Sequence, residues 1–158
     1  MSRLSPADLL VWAVDHDEVM DRFWSHVVRP EWTDCWIWTG ALSDQGHGRF
    51  WVTSDRVVIA DRLSWVWANR DRPVPEVVTH DCDSPPCQNP GHLRAGDRSS
   101  NGREYWARVG LPGSPLNDRR GARKRAEALR RAALSGGSLG EALEPGLSQL
   151  DLGQDPLW

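Results

Sequence analysis

Between His80 and Asn101 the chain reads His-Asp-Cys-Asp-Ser-Pro-Pro-Cys-Gln-Asn-Pro-Gly-His-Leu and then reaches an asparagine eight residues past Leu93. A stretch this rich in proline and this poor in apolar side chains has little of its own with which to hold a shape. Cys82, Cys87 and His92 have the soft ligands and the spacing of a structural zinc site, and tetrahedral zinc takes four nitrogen or sulfur ligands. The chain has three cysteines, too odd a number for complete internal disulfide pairing. Cys35, the one left over, completes a closed Cys3His set; the alternative for it is a small buried apolar side chain, as free cysteine often is. With zinc bound, the loop is pinned to a distant strand, and metal affinity becomes folding energy.

His80 and Asn101 remain outside that set. His80 lies two residues before Cys82, so on a strand it projects from the same face as that ligand. Asn101 falls one turn into the helix that follows. Each alone has a bland reading, a satisfied structural histidine and a helix-surface amide. Together they suit hydrolysis of a phosphodiester. Such a reaction needs a base that works near neutral pH, for which histidine is the natural choice. It also needs a hard cation at the leaving oxygen, which an asparagine and DNA phosphates can hold.

The surrounding pattern predicts a ββα unit. Residues 77–80 and 93–95 read as strands, with Asp97 capping a helix that runs to about Val109. Upstream, Ser5 and Pro6 open a first helix. Residues 15–18 look like a capping box that introduces a second helix, through about Val28. Residues 35–38 form a short strand, 40–48 a polar loop, and 49–52 and 56–59 a hairpin. Residues 61–69 form a helix with Leu63, Val66 and Trp67 inward. A basic helix is clearest over residues 118–134, and Ser138 with Glu141 forms another capping box. The expected class is α+β, a zinc-stabilised core with a small antiparallel sheet and flanking helices. The segments are 1–30 (helical), 31–112 (zinc-bound core), 113–135 (basic helix) and 136–158 (acidic tail). Ten tryptophans are expected to carry much of the core.

The net charge of −3 conceals an uneven distribution. Residues 105–134 carry 8 basic and 2 acidic groups, while residues 1–34 carry 3 and 7, and residues 135–158 carry 0 and 4. The basic segment offers Arg119, Arg120, Arg123, Lys124, Arg125, Arg130 and Arg131 as a phosphate-binding patch; a solvated helix face is the plainer reading. Arg49 and Arg56 on the hairpin are candidates for entering a groove. There is no apolar run of membrane-span length and no signal-peptide pattern, which leads to the expectation of a cytoplasmic, reduced protein without a membrane partner.

The string His80-x-Cys82-x4-Cys87-x-Asn89-Pro90-x-His92-Leu93, followed by Asn101, resembles the HNH or ββα-metal nucleases. The resemblance is strongest to the His-Cys box homing endonucleases and the zinc-containing phage HNH proteins. Cys35-Trp36-Ile37-Trp38-Thr39-Gly40 and Arg62-Leu63 look like the lead-in of that group, so the likeness spans roughly residues 23–103. It implies His80 as general base, Asn101 as magnesium (or manganese) ligand, and Cys35, Cys82, Cys87 and His92 as zinc ligands. It also makes Arg62 a candidate contact to the cleaved phosphate. Many HNH enzymes carry a second metal ligand immediately before the base, where this chain has Thr79. The implied activity is a magnesium-dependent DNA endonuclease leaving 5′-phosphate and 3′-hydroxyl ends, in a bacterial or phage-infected cell. The alternative is a zinc-stabilised DNA-binding module without catalysis. One such centre cuts one strand, so cutting both calls for a homodimer or two visits. The terminus, Gln154 to Trp158, resembles the peptide that binds sliding clamps; a tryptophan packed back on the domain, or a disordered tail, is the competing reading.

Overall fold

The computed structural model describes residues 3–147. The sliding-clamp-like peptide at Gln154–Trp158 lies outside the described residues. The architecture is mixed α+β, with three separate two-stranded antiparallel sheets in place of one small sheet.

Helix α1 (Pro6–Val14) starts as expected, with the Ser5 side chain accepting from the Asp8 amide and Pro6 at the first helical position. Asp15 caps the C-terminus of α1, so the expected capping box at residues 15–18 does not form. Helix α2 (Asp17–Trp24) begins at His16 without a side-chain cap and ends four residues before Val28. Val27 and Val28 instead form β1, paired with β2 (Ile37–Trp38). Two β-branched residues meeting a partner strand outweigh the continuing helical spacing.

Strands β3 (Arg49–Thr53) and β4 (Arg56–Ile59) make the expected hairpin and lead directly into α3 (Ala60–Ala68). Leu63 and Val66 of α3 are buried, but Trp67 is exposed, its edge set against Trp24. The tryptophans carry less of the core than expected. Trp38 and Trp65 are buried, whereas Trp51, Trp67 and Trp106 are exposed.

The main core joins Leu9, Leu10, Phe23, Trp38, Phe50, Leu63 and Val66, with Ala126 from the basic helix. Phe23, Trp38 and Phe50 form its aromatic centre, with ring centroids 5.2–6.0 Å apart. Gly48 passes so close to Trp38 and Ala60 that a Cβ would sit 2.7 Å and 2.8 Å from their atoms. Gly48→Ala is therefore expected to cost about 1–3 kcal/mol of stability through overpacking, read as a lower melting temperature.

Strands β5 (Val77–His80) and β6 (Leu93–Gly96) pair antiparallel, with His80 opposite Leu93. Helix α4 (Arg98–Arg108) follows, closed by a capping box between Asp97 and Ser100. Arg108 ties α4 to the β5–β6 loop through Asp83 at 2.8 Å and also pairs with Glu104 of its own helix at 2.9 Å. Helix α5 (Ala122–Ser135) starts later than the expected residue 118. Gly121, at φ 85°, holds a left-handed conformation there that other residues rarely adopt. Helix α6 (Leu139–Leu143) carries the expected Ser138–Glu141 capping box, and α5 and α6 enclose a second cluster around Ile37.

Candidate metal centre and adjoining cavity

The loop between β5 and β6 is fastened to β2 by backbone bonds. Trp38 donates to the Pro86 carbonyl at 2.9 Å, and Gln88 donates to the Trp36 carbonyl at 2.7 Å. Ile37 and Cys87 form an antiparallel bridge. Ser64 of α3 donates to the Gln88 carbonyl at 2.6 Å, from a fully buried position. Asn89 caps the 3-10 turn Pro90–His92 and also reaches the Asp34 carbonyl at 2.8 Å. These bonds bring Cys35, 52 residues away from Cys87 in sequence, to the loop.

Cys35, Cys82, Cys87 and His92 place their ligand atoms within 4.8 Å of one another. His92 Nδ1 lies 3.7 Å from Cys35 Sγ and 3.4 Å from Cys87 Sγ. A tetrahedral ion with sulfur at 2.3 Å and nitrogen near 2.0–2.1 Å requires a sulfur–nitrogen edge of about 3.6 Å, so the spacing suits a bound metal. The three thiols are free, and crowding couples them. Hydrogen bonds from Cys82 and Cys87 pull Cys35 down to about 2. In turn Cys35 pushes Cys82 up to about 12 and Cys87 further up. A bound cation would take all three as thiolates.

Arg125 is the buried cation nearest this chemistry. It is 8% exposed, donates to Ser84 Oγ at 3.4 Å and lies 4.0 Å from Asp118. Burial works against its charge, while Asp118, Cys35 and Cys82 support it. It is therefore not available to a DNA phosphate, contrary to the sequence expectation. Arg120 is likewise committed, to both oxygens of Asp118 and to the Ala142 carbonyl. Arg123 pairs with Glu127 and the Leu42 carbonyl, Arg130 with the Gly40 carbonyl, and Arg56 with the Leu4 carbonyl. Arg119 spends one N–H on Pro145 yet stays exposed. Lys124, Arg131 and Arg49 are exposed, with Lys124 3.3 Å from Glu127. The long-range role of the basic segment is thus partly internal: its arginines fasten α5 to the loops beneath it.

Beside β5 lies a cavity of about 400 Å³. His80, Asn101 and Arg62 all line it, as do His47, Asp61 and Tyr105. His80 ends β5 and is buried; Cys82 sits beyond the strand end in the turn, so strand alternation does not relate the two. His80 Nε2 lies 3.0 Å from the Cys87 carbonyl, which can only accept, so Nε2 carries the proton and Nδ1 the lone pair. Burial pushes the His80 pKa down, keeping the ring neutral, although Asp61 opposes that shift. Asn101 is exposed on α4, on the stripe that also carries Glu104, Tyr105 and Arg108 to the cavity. Arg62 donates to the Pro75 and Glu76 carbonyls at 3.1 and 3.2 Å, anchoring the approach to β5. A guanidinium has five N–H donors, so these bonds do not exhaust it.

Sequence reasoning missed His47 and Asp61. His47 Nδ1 is 2.7 Å from Asp61 Oδ2, and Asp61 Oδ2 is 3.7 Å from His80 Nε2. The available signal was the string Gly46-His47-Gly48, a histidine between two small residues in a loop read only as polar.

Fold and site define a mixed α+β protein in which the β5–β6 loop and the segment before β2 together form a cysteine–histidine cluster able to hold a metal ion. No family model matches the chain. No solved structure matches it. It is 34% identical to Protein 7.7 of Escherichia phage T7 over 114 residues, covering 68% of this chain and 82% of that protein. It is 35% identical to Protein 2.8 of the same phage over 68 residues, 42% of this chain, and spans under half (45%) of that relative's length. The chain belongs to the family of phage T7 Protein 7.7. Among the described residues no helix is long and apolar enough to cross a membrane.

Proposed function

We propose that this protein is a magnesium-dependent DNA endonuclease of the HNH, His-Cys box type, built around a structural zinc ion. The observation that carries the reading is the convergence of His80, Asn101 and Arg62 on one cavity, with His80 bonded to the carbonyl of Cys87 from a Cys3His cluster. Cys35, Cys82, Cys87 and His92 would hold zinc. A set of four protein ligands leaves no position for water, so its role is to stiffen the loop. The Cys87 carbonyl, fixed by that loop, in turn orients His80.

His80 Nδ1 is then the group that takes a proton from the attacking water. Its burial favours the neutral, proton-accepting ring at neutral pH. The carboxamide oxygen of Asn101 is a hard donor, and it is the residue that would hold magnesium at the cavity. When bound, magnesium offsets charge on the phosphate and leaving oxygen. Arg62 stands at the cavity wall as a cation for the phosphate.

The deciding experiment is plasmid nicking in magnesium compared with EDTA. Cleavage in magnesium alone, with 5′-phosphate and 3′-hydroxyl ends, supports the reading. DNA binding without cleavage would leave a zinc-stabilised binding module in its place.

DNA approach rests on the cations left exposed, Arg119, Lys124 and Arg131. Each phosphate contact contributes about −0.9 to the log–log dependence of affinity on salt. Replacing the three by Ala is expected to flatten that slope by up to about 2.7 and to weaken binding to all sequences alike. Titration over a salt series measures it. An unchanged slope would move the footprint to the β3–β4 hairpin around Arg49.

A further inference from the structure

Hydrolysis of a phosphodiester needs protons in two places. The attacking water loses one, and the departing 3′-oxygen must gain one. The assignment above supplies only the first.

The same cavity contains a second histidine held in a defined way. Asp61 is 2% exposed, at the start of α3, with one oxygen 2.7 Å from His47 Nδ1. A carboxylate only accepts, so Nδ1 is the donor and Nε2 is the nitrogen left for a ligand. His47 is a third exposed and its ring centroid is 5.7 Å from that of His80. Its backbone is fixed on both sides. The Ser43 amide donates to the His47 carbonyl at 2.8 Å, and the His47 amide donates to Ser43 Oγ at 3.2 Å. A Cβ at Gly46 would meet the Ala122 carbonyl at 2.8 Å, and one at Gly48 would meet Trp38 at 2.7 Å. Only a chain stripped of side chains on either side of His47 can pass between α5 and Trp38 and deliver the ring to the cavity.

Metal binding by His47, Asp61 and His80 is the rival use of this cluster, since their ligand atoms lie within 4.8 Å of one another. The distances favour a hydrogen-bonded dyad. Two neighbouring ligands at 2.0–2.1 Å stand about 3.3 Å apart around a tetrahedral ion and about 2.9 Å apart around an octahedral one, and His47 and Asp61 are closer than either, at 2.7 Å. His80 Nε2 is also already bonded to the Cys87 carbonyl.

We infer that His47, positioned by Asp61, donates the proton to the departing 3′-oxygen; this rests on the hydrolytic function proposed above. Before the step, His47 carries a proton on each nitrogen, one directed to Asp61 and one on Nε2. The water oxygen bonds to phosphorus as its proton passes to His80 Nδ1. The bond from phosphorus to the 3′-oxygen breaks with its electron pair on that oxygen, which takes the Nε2 proton. His80 ends with one proton more and His47 with one fewer, and exchange with solvent restores both. Two histidines in unlike surroundings, one buried and one open to solvent, thereby divide the acid and base roles.

The test compares a duplex cut at its mapped site with the same duplex carrying sulfur in place of the bridging 3′-oxygen. A thiolate leaves without being protonated. His47→Asn keeps an amide N–H for Asp61 and removes the second nitrogen. It should slow cleavage of the oxygen substrate by about 10²–10⁴-fold and the sulfur substrate by less than about tenfold, both measured against wild type in manganese. Asp61→Asn, acting through His47, should show the same rescue, whereas His80→Ala should be slow on both substrates. Melting curves and DNA affinity should stay near wild type for His47→Asn. Equal loss on both substrates overturns the inference in favour of a structural role. A second equivalent of metal in the wild type that is lost in His47→Asn overturns it in favour of chelation. A wild-type protein that cuts neither duplex removes the endonuclease reading and this inference with it, whereas loss confined to His80→Ala removes this inference alone.

Discussion

Cys87→Ser is expected, on the zinc reading, to release the metal and to abolish the cooperative thermal transition, not merely to lower it. Cys87 is fully buried, bridges to Ile37 of β2, and stands 3.4 Å from His92. The loop it anchors has a proline-rich backbone and little apolar surface, so few other forces hold it. Structural zinc supplies apparent binding energies of about 10–16 kcal/mol in small domains. That rivals the ~5–15 kcal/mol by which whole domains are stable. On the zinc reading, elemental analysis of protein purified without added metal should find one zinc per chain in the wild type and almost none in the variant. Wild-type protein that is folded, active and metal-free would end that reading. The loss should extend beyond the loop, because Ile37 belongs to the cluster with α5 and α6.

On the proposed endonuclease reading, His80→Ala is expected to behave in the opposite way, keeping zinc, fold and DNA affinity while losing cleavage by about 10²–10⁴-fold. His80 meets Cys87 through its backbone carbonyl at 3.0 Å and not through its thiol, so removing the ring takes away no candidate metal ligand of the Cys3His cluster. Its side chain fills the floor of the cavity, so a modest drop in melting temperature accompanies the change. The measurement pairs nicking rates with metal content and a melting curve. If His80→Ala released zinc, the division between a structural cluster and a separate base would fail. Asn101→Ala, an exposed position on α4, should lose cleavage with less effect on stability and recover in part at high magnesium.

Local rules read most of the secondary structure correctly because the signals were local. Ser5 with Pro6, Asp97 with Ser100, and Ser138 with Glu141 each satisfy helix-end amides within a few residues, so spacing alone reveals them. The hairpins at 49–59 and 77–96 follow from alternation and turn residues. One failure was local, since Asp15 ends α1 instead of opening a capping box; others came where a distant partner decided. Residues 25–28 carry helical spacing, but Val27 and Val28 meet β2 ten residues on. Trp67 has the inward phase of α3 and yet lies at the edge, because the core space is filled by Phe23, Trp38 and Phe50.

The same boundary runs through the candidate site. Sequence alone determined which residues stand as candidates, because residue type and spacing carry that chemistry: three cysteines and the loop histidine, which the fold gathers into one cluster able to hold a metal ion, and the histidine and asparagine left beside them. Sequence also determined where basic charge accumulates. Only the tertiary structure decided which of those charges face solvent. Arg125 and Arg120 turn inward to Ser84 and Asp118, since a buried carboxylate and a cysteine cluster need a nearby cation more than the surface does. It also decided that His47 and Asp61, fourteen residues apart with no motif between them, meet His80 across one cavity. No periodicity announces such a meeting. It arises because β4 runs straight into α3 while two glycines let the preceding loop pass beneath Trp38, and that is a consequence of packing.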